Sequence, residues 1–173
     1  MADERSFLLD ANVFIEAKRR YYAFDICPGF WECLLWHHDG SCRVLSIDKV
    51  KKELERGGDD LTKWVASIAP STCFSSTNDG SVIGQYGHIM AWVQGQGQFY
   101  QEAKAGFASG ADGWLIAYAK ANGMILVTHE VLAPEVRNKV PMPNVCEALG
   151  VAYANTFDML RELEAAFSWE PAS

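Results

Sequence analysis

Phe7-Leu8-Leu9-Asp10-Ala11-Asn12-Val13-Phe14-Ile15 begins with three apolar residues that run directly into an acid and then into a helical pattern. A run that is short, apolar throughout and ended by a polar residue reads as a strand buried on both faces. Residues 12 to about 20 have helical periodicity, with Val13, Phe14 and Ala17 on one side. The alternation recurs outward from this stretch, with further strands expected at 43–47, 73–76, 124–127 and 151–154. Helices are expected over 30–38, stopped at Asp39-Gly40, and over 61–68, 82–93, 99–107 and 110–122. Asp48 is placed to cap a helix that Gly57-Gly58 ends, and Asn144-Val145-Cys146-Glu147 has capping-box spacing. Thr156 opens the last helix, with Phe157, Leu160, Leu163 and Phe167 at helical spacing. Short apolar strands between helices predict an α/β chain with a parallel sheet covered on both faces. Ligands of such sheets sit outside the carboxyl ends of the strands, so the residues just after each strand matter most.

Composition narrows the function classes. A chain of 173 residues, 49% hydrophobic and 21% charged, is expected to form one domain over 1–173. Fifteen basic against twenty-two acidic residues leave a net charge of −7, which speaks against gripping nucleic acid by bulk positive charge. It leaves room for a nuclease whose acids are gathered on a metal. Five Cys is an odd number without C-x-x-C spacing, which points to small apolar residues in a reducing compartment. The charged start and the three apolar residues before Asp10 do not make a signal peptide. No run approaches the ~18 apolar residues of a membrane span. The expectation is a cytoplasmic chain with no membrane partner.

Four acids fall at expected strand ends or in the helices that follow them: Asp10, Glu53, Asp112 and Glu130, with Asn12 and Thr128 beside them as neutral polar groups. Carboxylates facing one crevice repel each other and hold protons more tightly, and a divalent cation relieves that. Hard oxygen donors without His or Cys suit Mg²⁺ or Mn²⁺, which can activate a water and steady a leaving oxygen at phosphorus. Singly, each acid has an ordinary role as well. Asp10 can cap a helix, Asp112 can favour a helix dipole, Glu53 can belong to a solvated face beside Glu55, and Glu130 can be a surface charge.

The ordered motifs resemble those of PIN-domain proteins. The opening stretch matches their apolar strand running into Asp-x-Asn, and Ser46-Ile47-Asp48-Lys49-Val50-Lys51-Lys52-Glu53-Leu54 resembles their second motif, a strand, turn and helix carrying one acid. Gly110-Ala111-Asp112-Gly113-Trp114-Leu115-Ile116-Ala117-Tyr118-Ala119 resembles the third, and Leu126-Val127-Thr128-His129-Glu130 the fourth, where the family's usual Asp is here Glu130. Residues 21–31 further resemble a bacterial branch of PIN-like proteins. The resemblance implies a three-layer α/β/α fold with a central, mostly parallel sheet of four or five strands. It implies a Mg²⁺- or Mn²⁺-dependent endoribonuclease, the toxin of a toxin–antitoxin pair, with an antitoxin partner and a homodimer. By motif match Asp10, Glu53, Asp112 and Glu130 bind the metal, while Asn12 and Thr128 orient them through hydrogen bonds. The alternative is an inactive PIN-like module that binds protein or RNA. Phosphatase or dehalogenase chemistry with Asp10 as nucleophile lacks the expected Asp-x-Asp, because position 12 is Asn.

For the RNA substrate, Lys18-Arg19-Arg20-Tyr21-Tyr22 joins three cations to two aromatics that can hold phosphates and stack on bases; its other reading is the solvated end of a helix. Lys49, Lys51, Lys52, Arg137 and Lys139 are secondary candidates. Trp31, Trp64 and Trp114 are expected in the core, His37-His38 at a surface helix end, and His129 exposed.

Overall fold

Phe7, Leu8 and Leu9 are at most 1% exposed and form β1 (Phe7–Leu9), the middle strand of a five-stranded sheet. The computed structural model describes residues 4–171. The other strands are β2 (Val44–Ile47), β3 (Phe74–Ser75), β4 (Ile125–Val127) and β5 (Tyr153–Ala154), in the order β3-β2-β1-β4-β5. Every neighbouring pair is parallel. The helices in chain order are α1 (Ala11–Glu16), α2 (Pro28–Ser41), α3 (Asp48–Glu55), α4 (Asp60–Ser67), α5 (Gly80–Gly95), α6 (Gln101–Ser109), α7 (Asp112–Asn122), α8 (Met142–Leu149) and α9 (Thr156–Glu162). The result is the expected three-layer α/β/α architecture. Complete burial of consecutive β1 residues follows from helices covering both faces.

The strand order sets the position of the site. From β1 the chain moves outward to β2 and β3, then returns to the other side of β1 as β4 and β5. The order therefore reverses between β1 and β4, and a crevice opens beyond their carboxyl ends. Leu9 lies opposite Val127 in the register, and the Asp10 N–H donates to the Val127 carbonyl at 3.0 Å. Asp10 and Thr128 thus leave adjacent strands side by side. On the other flank the Ser46 hydroxyl donates to the Leu9 carbonyl at 2.6 Å, tying β2 to the same end of β1.

Several local expectations are corrected. The second helix continues past Asp39-Gly40 to Ser41 and stops at Cys42, whose φ of 52° turns the chain left-handed. Packing carries it through the weak helix formers. His37 and His38 are buried rather than at the surface, and the His38 ring lies 3.0 Å from the Val44 carbonyl and 2.9 Å from the Thr72 hydroxyl. Asp48 does not cap α3: it is the first helical residue, and its carboxylate accepts the Thr77 hydroxyl at 2.9 Å. Nor does Asn144 cap α8, which begins at Met142; its amide instead bonds both the N–H and the carbonyl of Ala133.

The run Ala17–Tyr21 winds as a π-helical turn, closed by the Tyr22 N–H on the Ala17 carbonyl at 2.7 Å. That extra residue splits the basic–aromatic run. Tyr22 turns inward and stacks on Phe30 at 4.5 Å, while Tyr21 stays half exposed against Phe157 and His129. Trp31 and Trp64 are core residues as expected, and the Trp31 indole N–H holds the Tyr22 carbonyl at 2.7 Å. Trp114 is only partly buried. The five Cys are free thiols, with Cys73 and Cys146 buried. Among the described residues no helix is long and apolar enough to cross a membrane.

Candidate functional site

Asp10 is the residue around which the site is built. It is 4% exposed although it carries a carboxylate, and it sits where β1 ends and α1 begins, beside the buried Thr128 at the end of β4. It makes no side-chain cap to α1, so helix capping does not account for it. Burial pushes its carboxyl up to about 7, and the negative charges of Asp112 and Glu130, then of Glu53, push in the same direction. One group opposes them: the Thr128 hydroxyl donates to Asp10 Oδ2 at 3.2 Å. That hydroxyl in turn accepts the Glu130 N–H at 3.1 Å. The relay from the Glu130 amide through Thr128 to Asp10 joins the first and fourth motifs.

Asp112 is the first residue of α7. Its carboxyl is pushed up to about 6, by burial first and then by Glu130, with the Lys139 ammonium pulling it down and Glu53 pushing it up. The neighbouring Gly113 allows this helix start to lie close to α5. A Cβ at Gly113 would stand 3.0 Å from the Tyr86 ring and 3.2 Å from Phe107, and Tyr86 stacks on Trp114 at 3.8 Å with the rings 7° apart. Glu53, on α3, is exposed, and its charge is the smallest of the acidic effects on Asp10 and Asp112.

The fourth acid is differently placed. Both Glu130 oxygens already have donors: Oε1 is paired with the Lys139 ammonium, and Oε2 accepts the Met142 N–H at 2.7 Å. Glu130 thereby ties the chain just after β4 to Lys139 and to the first residue of α8, and Lys139 brings a positive charge that acts on Asp112. The sequence offered Lys139 only as a secondary substrate contact. Its pairing crosses a stretch without periodicity, so no spacing rule could reveal it.

The charges of Glu53 and Glu130 thus act on both Asp10 and Asp112. Among the described residues, however, no group of three or more His, Cys, Asp or Glu side chains stands ready to hold a metal ion. The donor type is nevertheless the one that Mg²⁺ or Mn²⁺ would take. The donors are oxygens only, and two of the acids carry the raised proton affinity that a divalent cation would relieve. Asp10, Asp112 and Glu53 have oxygens to offer, whereas Glu130 would first have to loosen its pairing with Lys139.

Asn12 is exposed and lines a cleft with Glu16, Arg20, Tyr21, His129, Glu130 and Lys139. Of the two expected orienting residues only Thr128 hydrogen-bonds an acid among the described residues. His129 is half-buried, not exposed, with Nε2 3.1 Å from the Thr156 hydroxyl. The five expected RNA contacts do not act as a block. Arg20 and Tyr21 line the cleft just described, with Arg20 paired to Glu16 at 3.0 Å. Lys18 is paired to Asp59 at 2.7 Å, Tyr22 faces inward, and Arg19 is exposed.

The sequence pattern of a family described as a domain of unknown function (DUF4411) matches residues 7–167, which includes every acid of the site. No curated protein matches the chain.

Proposed function

The chain belongs to the DUF4411 family, and we propose that it is a PIN-like, metal-dependent endoribonuclease that hydrolyses RNA phosphodiester bonds. The observation that carries this reading is Asp10: a carboxylate buried at the reversal point of a parallel sheet, with its carboxyl raised to about 7 by burial and by three other acids. Buried acids gathered at such a place favour a functional role over a capping one. Asp10 and Asp112 would hold Mg²⁺ or Mn²⁺, with Glu53 completing the donors from α3. A bound ion of this kind lowers the pKa of a water and stabilises charge developing at phosphorus. Thr128 keeps Asp10 Oδ2 in one orientation, and Lys139 offers a cation to a phosphate oxygen at the crevice edge.

The same resemblance carries the toxin reading. An antitoxin with basic side chains would fit the crevice physically, since it would neutralise the carboxylates and exclude the metal.

A second reading, an inactive binding module, is favoured by one observation: the engagement of both Glu130 oxygens by Lys139 and the Met142 N–H. Calorimetric titration with Mn²⁺ separates the two. The nuclease reading expects saturable Mn²⁺ binding that is lost in Asp10→Asn and in Asp112→Asn. Absence of binding in the unaltered chain favours the module.

A further inference from the structure

The sequence assigns fifteen Lys and Arg to this acidic chain. Seven are in ion pairs: Arg5, Lys18, Arg20, Lys51, Lys63, Lys139 and Arg161. Four more donate to backbone carbonyls: Arg43, Lys104, Lys120 and Arg137. Among the described residues this leaves Arg19, Lys49, Lys52 and Arg56 with neither kind of partner. Three of these four line a single cleft of about 490 Å³, together with Glu53, Trp114 and residues 108–110.

The clustering has a simple origin. Lys49, Lys52, Glu53 and Arg56 are spaced i, i+3, i+4 and i+7 along α3 and its C-terminal cap, so they share one face. The three cations spread over about 10 Å of helix. Lys51, off that face, is instead paired with Glu55. Trp114 gives the cleft no open stacking surface, because Tyr86 covers one side of the ring and the Lys49 ammonium lies 5.2 Å from its centroid. The cleft therefore offers charge without a base platform. Glu53 belongs both to this wall and to the acidic crevice, so the two are continuous.

We infer that the Lys49–Lys52–Arg56 cleft is a phosphate-binding track that holds the backbone of a single RNA strand on the Glu53 side of the acidic crevice. The inference rests on the nuclease reading above and moves the main grip from the 18–22 run to α3. It implies sequence-tolerant binding, because charge contacts to phosphates carry no base information. In a chain of net charge −7, three cations in one cleft without a carboxylate partner also supply the local attraction that the whole molecule lacks.

The test is fluorescence anisotropy with a labelled single-stranded oligoribonucleotide at a series of salt concentrations, in chelator so that no hydrolysis occurs. Lys49→Gln/Lys52→Gln/Arg56→Gln is expected to weaken binding about tenfold or more and to reduce the log–log salt slope by roughly 0.7 for each lost phosphate contact. Its unfolding temperature and its Mn²⁺ affinity should not fall. Lys18→Gln/Arg19→Gln/Arg20→Gln should have the smaller effect. An unchanged affinity and slope in the α3 variant would overturn the inference. So would polyglutamate that displaces the RNA and binds as tightly, which would assign the cleft to an acidic protein. Failure of the two readings is distinguishable: an RNA-binding chain without hydrolysis loses the nuclease reading and keeps the track, whereas hydrolysis with binding indifferent to the α3 variant does the reverse.

Discussion

The Thr128 hydroxyl donates to Asp10 Oδ2 at 3.2 Å across 118 residues of chain, and is the hydrogen bond that lowers the proton affinity of that buried acid. Thr128→Val keeps the shape and removes the donor. It also leaves the Glu130 N–H without its acceptor. Stability at pH 8 should fall by about 1–2 kcal/mol in urea unfolding, while Thr128→Ser should stay close to the unaltered chain. A Val variant as stable as the parent would contradict this role.

Asp10 and Asp112 give a signed pH dependence. Their carboxyls are raised from 3.8 to about 7 and about 6 in the folded chain. Between about pH 4 and 7 the folded state therefore binds more protons than the unfolded one, and stability falls as pH rises through that window. The loss should total a few kcal/mol. Thermal unfolding in chelator should show a higher midpoint at pH 5 than at pH 8. Asp10→Asn should flatten the profile, and Mn²⁺ should restore stability at pH 8. A metal-free profile that rises toward pH 8 and is insensitive to Asp10→Asn would refute the assignment.

Lys139 is paired with Glu130, where it would compete with any divalent cation for that carboxylate, and it lowers the proton affinity of Asp112. In Lys139→Met the competition is gone, so Mn²⁺ affinity measured calorimetrically should increase about two- to fivefold, the range expected of a partly exposed ion pair. Weaker Mn²⁺ binding in this variant would show that Lys139 supports the metal-holding arrangement instead of opposing it.

A methyl group at Gly113 would press on the Tyr86 and Phe107 rings, at 3.0 and 3.2 Å, and both would have to give way by a few tenths of an ångström. Gly113→Ala should cost about 1–3 kcal/mol, as overpacking does, despite the better helix propensity of Ala. Unfolding midpoints check this directly, and tryptophan fluorescence should shift if the Tyr86–Trp114 stack opens. An Ala variant with raised stability would show that the α5–α7 contact yields easily.

The sheet and the position of Asp10 were legible because an apolar strand ending in an acid is a local signal, and the other acids could be ordered by the same rule. Asp112 at the start of α7 was legible for the same reason. What could not be read depends on contacts distant in sequence. Burial of His37 and His38 carries α2 through Asp39-Gly40, where composition alone predicts a stop. Thr77 takes the Asp48 carboxylate away from helix capping, and Ala133 occupies the Asn144 amide. The π-helical turn separates Tyr21 from Tyr22, which sequence spacing had joined into one RNA contact. Glu130 matched its motif by position, yet its partners Lys139 and Met142 lie across an aperiodic segment and were invisible to any periodic rule.

Incubating a labelled single-stranded RNA with the purified chain in Mn²⁺, in parallel with a chelator control and with Asp10→Asn prepared identically, decides whether the acidic crevice hydrolyses RNA. Internal cleavage is expected in the first reaction and intact RNA in the other two. Equal cleavage in all three, or intact RNA with a folded, Mn²⁺-loaded chain across varied RNA sequences, would contradict the nuclease reading.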